Sequence, residues 1–148
     1  MALAAASSSQ PKFQSLKEFL MNYVHIVALL AVVQFIVFGI FVGQARGKYG
    51  IAAPAMTGNE HFERAVRVQM NTLEQLVAFL PALLIAAVYW PQIYVAAAGV
   101  VYLVGRTLYR QAYVNDPAKR GLGFLLTFLP TTLLVLAGLV GAVMRSAA

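Results

Sequence analysis

Phe62-Glu-Arg-Ala-Val-Arg-Val-Gln-Met-Asn-Thr-Leu-Glu-Gln-Leu-Val-Ala-Phe-Leu-Pro81 opens with charge and runs without interruption into an apolar segment. Arg67, Asn71 and Glu74 fall at i, i+4 and i+7, so a helix stacks them on one stripe, and Arg64 extends that stripe by one turn. From Leu76 to Trp90 there is no charge at all. That run reads as a segment embedded in a bilayer. Ionisable and amide groups dipping into such a layer are costly to desolvate and must face a bundle interior or a polar cavity. The stretch is therefore a membrane helix with a functional stripe at its polar end.

The rest of the chain agrees. Of 148 residues, 61% are hydrophobic and 11% charged, and the mean hydropathy is +0.75. A soluble domain is about 45–50% apolar and about 25% charged. The class is all-α, an integral membrane four-helix bundle, and the length suits one bundle rather than two domains. There is no cysteine, which excludes disulfides, thiolate metal sites and a cysteine nucleophile. His25 and His61 stand too far apart to suggest a metal site, so no metal is expected. The net charge is +6, but the cations cluster where helices meet loops instead of forming a soluble basic face, so no nucleic-acid partner is expected.

Residues 1–15 are small and polar and read as a flexible N-terminal tail, without the basic start and apolar core of a signal peptide. Residues 16–148 read as a single four-span domain, with spans at about 19–44, 62–89, 93–113 and 123–144. In the first span, His25 and Gln34 read as helix-to-helix hydrogen-bonding residues. Residues 45–61 form a basic Gly- and Pro-containing loop and Trp90-Pro91-Gln92 a tight connection, while residues 114–121 form a third loop. Pro81 and Pro130 lie inside spans, where kinks are expected. Four spans put both termini on one side and loops one and three on the other. Arg46, Lys48, Arg64, Arg67, Arg110, Lys119 and Arg120 belong to the latter side, against Lys12, Lys17 and Arg145 on the terminal side. The positive-inside rule makes loops one and three cytosolic.

Tyr102, Arg106, Tyr109 and Tyr113 fall at i, i+4, i+7 and i+11, a second polar stripe on the third span. Together with Arg46, Gln69, Asn71, Glu74 and Arg120 it supplies guanidinium forks for carboxylates, amides and a carboxylate for peptide and amino groups, and phenolic donors. An anionic, peptide-like ligand needs that mixture. Spacing leaves a second reading open, in which the arginines set topology and pair with Glu60, Glu63, Glu74 and Asp116. Trp90, Tyr94, Phe124, Phe128 and Met144 read as packing or interface residues rather than as a ligand groove.

Phe62-Glu-Arg-x-x-Arg-x-Gln-x-Asn-x-x-Glu74 resembles the second-helix motif of the MAPEG superfamily, the membrane-associated proteins of eicosanoid and glutathione metabolism. Val101-Tyr-Leu-x-x-Arg-x-x-Tyr-x-Gln-x-Tyr113, with Arg120 seven residues on, is similar to its third-helix motif. The likeness covers roughly Phe19 to Met144 and points to the microsomal glutathione S-transferases, in particular the type-3-like and bacterial branches. It implies a homotrimer with glutathione bound at each interface between protomers near the cytosolic face. It also implies that Arg46, Arg67, Gln69, Asn71, Glu74, Arg106, Tyr109 and Tyr113 bind glutathione, and that Arg120 is the catalytic residue, stabilising the thiolate.

The function implied is conjugation of glutathione, the co-substrate, to hydrophobic electrophiles, with glutathione-dependent reduction of lipid hydroperoxides open to the same site. Glutathione arrives from the cytosol, and the electrophile or hydroperoxide from the membrane lipids. Gly47 and Gln75 depart from the leukotriene-forming synthases, which have an arginine and a tyrosine there. The alternative is a non-catalytic lipid-binding scaffold of the lipoxygenase-activating-protein type. Endoplasmic reticulum and bacterial inner membrane both suit the sequence.

Overall fold

A computed structural model describes the backbone of residues 2–147 and the side chains of residues 23–147. Asn59 sets the start of the functional helix. Its side chain accepts hydrogen bonds from the backbone N–H groups of His61 and Phe62, 3.0 and 3.3 Å away, satisfying donors that a helix start leaves unpaired. The helix that follows, α2 (Glu60–Tyr89), has Glu60 and Glu63 in its first turn, where negative charge complements the helix dipole. Before it comes α1 (Ala2–Lys48); after it come α3 (Gln92–Asn115), a 3-10 turn (Pro117–Arg120) and α4 (Gly121–Ser146). The tail expected at residues 1–15 lies outside the residues whose side chains are described.

Two loops are shorter than expected. The loop placed at 45–61 is reduced to the eleven residues between Lys48 and Glu60, because Ala45 and Arg46 continue the helix. The chain leaves α1 at Gly50, whose φ of 64° would strain any residue with a Cβ. The loop placed at 114–121 is instead the end of α3 plus the 3-10 turn. There the Asp116 side chain accepts from the Ala118 N–H at 3.1 Å and proline begins the turn. Trp90 and Pro91 do form a tight connection, and the Trp90 indole N–H donates to the Ala137 carbonyl of α4 at 2.7 Å.

The α2–α3 pair is flanked by α1 and by α4, each packed against both. Val24, Val27, Leu76, Phe79, Leu83, Tyr102 and Leu134 form the main core. The outward faces are apolar: Leu29 is 65% exposed, Val77 70% and Leu133 64%. A soluble protein rarely leaves so much contiguous apolar surface open. Among the described residues, three segments are long and apolar enough to cross a membrane: Tyr23–Lys48, Glu60–Tyr89 and Pro117–Ser146. Pro81 and Pro130 both lie within helices. Gln34 on α1 donates to the Leu103 carbonyl and the Thr107 hydroxyl of α3, at 3.0 and 2.9 Å, the helix-to-helix role expected of it. His25 is exposed instead.

Close approach at two glycines fixes α3 against α4. A Cβ on Gly105 would stand 2.8 Å from the Leu126 backbone, and one on Gly123 would stand 2.3 Å from the Tyr109 nitrogen. The second contact sets the height and rotation of Tyr109. Arg64 ties the start of α2 to the end of α3 by donating to the Val114 and Asn115 carbonyls, each at 3.1 Å, while also pairing with Glu60. Loops one and three thus lie at one end of the bundle.

Candidate functional site

Helical periodicity puts Arg67, Asn71 and Glu74 on one stripe of α2, and their side chains meet there. Arg67 donates to one Glu74 oxygen at 3.3 Å and the Asn71 amide donates to the other at 2.9 Å. Arg67 and Glu74 are both about half exposed, at 54% and 51%. Asn71 is buried, and its amide oxygen accepts from Arg106 of α3 at 3.0 Å.

Arg106 is wholly inaccessible. A buried guanidinium survives only where its donors are matched. One nitrogen reaches Asn71, and another donates to the Thr72 hydroxyl at 2.7 Å, which in turn donates to the Val68 carbonyl at 2.7 Å. Its Nε has no partner. Among the described residues no carboxylate meets the charge directly; Asn71 relays it to Glu74. The guanidinium carbon lies 4.3 Å from the centre of the Tyr109 ring, which stacks on Tyr113 at 5.5 Å. Arg120 follows, 5.9 Å over the Tyr113 ring, with one nitrogen donating to the Pro117 carbonyl at 2.8 Å. Arg120 is exposed, so its other N–H groups are open to a ligand.

Arg67, Asn71, Glu74, Arg106, Tyr109, Tyr113 and Arg120 therefore form one unbroken ladder of contacts across α2, α3 and the 3-10 turn. Two expected site residues stand apart from it. Arg46 points into loop one, donating to the Ile51, Ala52 and Ala55 carbonyls at 3.4, 3.4 and 2.9 Å and lying 4.8 Å over the Phe62 ring. Gln69 faces α1, its Nε2 4.0 Å from where a Cβ on Gly39 would sit. Thr72 is a member that sequence reading missed; its only signal was its place beside Asn71. Tyr102, expected on the stripe, turns into the core and stacks on Phe79 at 3.7 Å.

A groove between α2 and α4 opens beside Glu74. About 230 Å³ in volume, it is lined by Gln75, Ala78, Phe128, Thr131, Thr132 and Val135 among others. Ala78 and Val135 also line a larger apolar groove of about 450 Å³ further along the same helices. Phe128, read above as packing, is thus a groove residue. Trp90 and Met144 line a separate pocket at the opposite end. Chemically, the ladder offers cations at both ends, one carboxylate and two phenols, next to an apolar trough. Among the described residues, no group of three or more His, Cys, Asp or Glu could hold a metal ion.

The sequence profile of the MAPEG family matches residues 24–140, which spans the ladder and the helices that carry it. The chain belongs to the MAPEG family. Relatives of this MAPEG protein include an uncharacterized protein of Synechocystis sp., 46% identical over 114 residues, covering 77% of this chain and 83% of that one. Human microsomal glutathione S-transferase 2 is 38% identical over 115 residues, 78% of each chain. Bovine leukotriene C4 synthase is 34% identical over 94 residues, covering 64% of this chain and 63% of the synthase.

Proposed function

We propose that this MAPEG protein is a membrane-bound glutathione S-transferase that joins glutathione to hydrophobic electrophiles drawn from the bilayer. The observation that carries the reading is the ladder from Glu74 to Arg120 at the mouth of the α2–α4 groove. Relatives named as glutathione transferases and leukotriene C4 synthase support it.

The residues fit the tripeptide. Glutathione has two carboxylates, one ammonium group and one thiol. Arg67 suits one of its carboxylates, Glu74 and Asn71 its ammonium and amide groups, and Tyr109 and Tyr113 supply hydroxyl donors, while Arg106, buried behind them, holds Asn71 in place. Arg120 suits the sulfur. A fixed cation beside a thiol favours the thiolate, which is the nucleophile, so the chain needs no cysteine of its own. The thiol proton passes to water, the thiolate sulfur attacks the electrophilic carbon, and a carbon–sulfur bond forms as the displaced electron pair moves to the leaving group or to the adjoining atom of the electrophile. Reduction of a lipid hydroperoxide by the same thiolate is open to this geometry.

Arg46 and Gln69 enter this reading through assembly. Both sit on faces turned away from the ladder of their own chain, so they would reach glutathione only across a boundary between protomers, as in a homotrimer. In the same reading, residues 16–148 are one domain, α3 crosses the membrane as the third of four spans, the ladder faces the cytosol and both termini lie opposite.

The test is glutathione binding to the purified protein, followed by the thiolate absorbance of the complex in the parent and in Arg120→Ala. Binding with a thiolate signal that the variant loses supports the enzyme and its activating residue together. No binding at millimolar glutathione, and no protection by it against heat, would sink the transferase and favour the lipid-binding scaffold.

A further inference from the structure

A pocket of about 260 Å³ lies at the ladder's end of the bundle but on another side, between α1, the start of α2 and the end of α3. Phe38, Phe41 and Val68 are among its walls, and Lys48, His61 and Arg110 bring cationic or protonatable groups to it. Among the described residues no carboxylate lines it. The Arg110 guanidinium carbon lies 4.0 Å over the Phe41 ring and 5.7 Å over Phe38. Lys48 lies 5.3 Å over the Tyr49 ring, which stacks on His61 at 5.8 Å. The described carboxylates are engaged elsewhere: Glu60 with Arg64, Glu74 with Arg67, Asp116 with Lys119, and Glu63 with the Gly58 N–H. Lys48 and Arg110 therefore have no carboxylate partner among the described residues.

This pocket is distinct from both parts of the proposed glutathione site. On α1, Gln44 and Lys48 each stand about 200° around the helix from Arg46. On α3, Arg110 and Val114 stand about 100° from Tyr109 and Tyr113. Towards the middle of the bundle, the flanking helices expose Val33 and Ile40 on α1 and Val100 and Val104 on α3, between 50% and 53% accessible.

We propose that this pocket binds the phosphate of an anionic phospholipid, with an acyl chain laid along the α1–α3 seam. Two cations with no internal counterion call for an anion. The Gln44 amide, the Tyr49 hydroxyl and His61 at the same pocket suit a group with several acceptor oxygens, which a phosphate diester has. The pocket sits where the helices end, at headgroup height, with apolar surface leading from it towards the hydrocarbon. A zwitterionic headgroup would add a cation that Lys48 and Arg110 repel.

The experiment uses full-length protein in detergent, titrated with phosphatidylglycerol, phosphatidylcholine, oleate or inorganic phosphate and read by native mass spectrometry and thermal melting. Phosphatidylglycerol is expected to bind roughly thirtyfold more tightly than phosphatidylcholine, as two cations near a lipid surface predict, and to raise Tm. Lys48→Glu, an exposed change that leaves the aromatic walls intact, should abolish that preference, as should Lys48→Gln with Arg110→Gln. Equal binding of phosphatidylcholine, an equal effect of inorganic phosphate, equal or tighter oleate binding, or a preference that survives Lys48→Glu each overturns the proposal. Glutathione binding should be unchanged in Lys48→Glu. Selective lipid binding in a protein that never binds glutathione would overturn the transferase alone.

Discussion

Arg106 and Thr72 meet at 2.7 Å where neither side chain touches solvent. The hydroxyl accepts from the guanidinium and donates to the Val68 carbonyl, so one small group satisfies a charged donor and a helix carbonyl together. Thr72→Val keeps the shape and removes the acceptor. A buried charged donor left unmatched should cost about 1–3 kcal/mol, seen as a lower Tm, with glutathione binding weakened as Arg106 shifts. An unchanged Tm would mean that Asn71 alone holds the guanidinium.

Arg67 and Glu74 are half exposed, and such pairs contribute only about 0–1 kcal/mol to stability. Arg67→Ala should therefore leave the melting curve nearly unmoved. If Arg67 holds a glutathione carboxylate, the same change should raise the glutathione Kd roughly ten- to a hundredfold, the worth of one charge-assisted hydrogen bond. Calorimetric titration decides it, and unchanged affinity removes Arg67 from the site.

Gly123→Ala would place a methyl group 2.3 Å from the Tyr109 backbone nitrogen and 2.5 Å from its Cα. Backbone cannot give way as a side chain can, so α3 and α4 must part. The expected cost is about 1–3 kcal/mol of stability. Turnover should fall on the order of tenfold to a hundredfold as Tyr109 and Tyr113 move relative to Arg120. Gly121→Ala, where an added Cβ meets nothing within 4 Å, is the matched control and should behave as the parent.

Asp116 lies outside the membrane-spanning segments, and its carboxyl is held below the usual range. The largest cause is the Ala118 N–H that donates to it, followed by the Lys119 ammonium and the charge of Arg64. A carboxyl depressed in the folded state stabilises the fold fully above its unfolded pKa of about 3.9, and that contribution is lost as pH falls through the lower folded value. The 3-10 turn that holds Arg120 should thus loosen only below about pH 4. Asp116→Ala should lose the turn at neutral pH and lower turnover more than glutathione affinity. A variant with parental kinetics would show that Arg120 is placed without the cap.

The membrane helices were legible because periodicity and charge distribution are local signals. The α2 stripe needed nothing beyond 3.6 residues per turn. Arg46 was legible as a cation but not as a loop-one anchor, since its partners are carbonyls whose positions depend on how residues 51–55 turn. Tyr102 matched the stripe's spacing, yet its ring lies over Phe79, an outcome set by packing between helices. Thr72 carried little signal beyond its place beside Asn71, because a lone hydroxyl reads as neutral until the guanidinium that meets it is known. The faces of Gln69 and Arg46 became visible only once α1 was docked.

Trp90 is the only tryptophan in the chain, and its indole N–H is tied to the Ala137 carbonyl of α4 at the end of the bundle remote from Arg120. The intrinsic fluorescence of this protein is therefore a single-site reporter. Its emission should shift to the red when α4 separates from the α2–α3 turn, and stay constant while ligand fills the far end. Opening of the bundle can thus be told apart from occupancy of the ladder without an added dye.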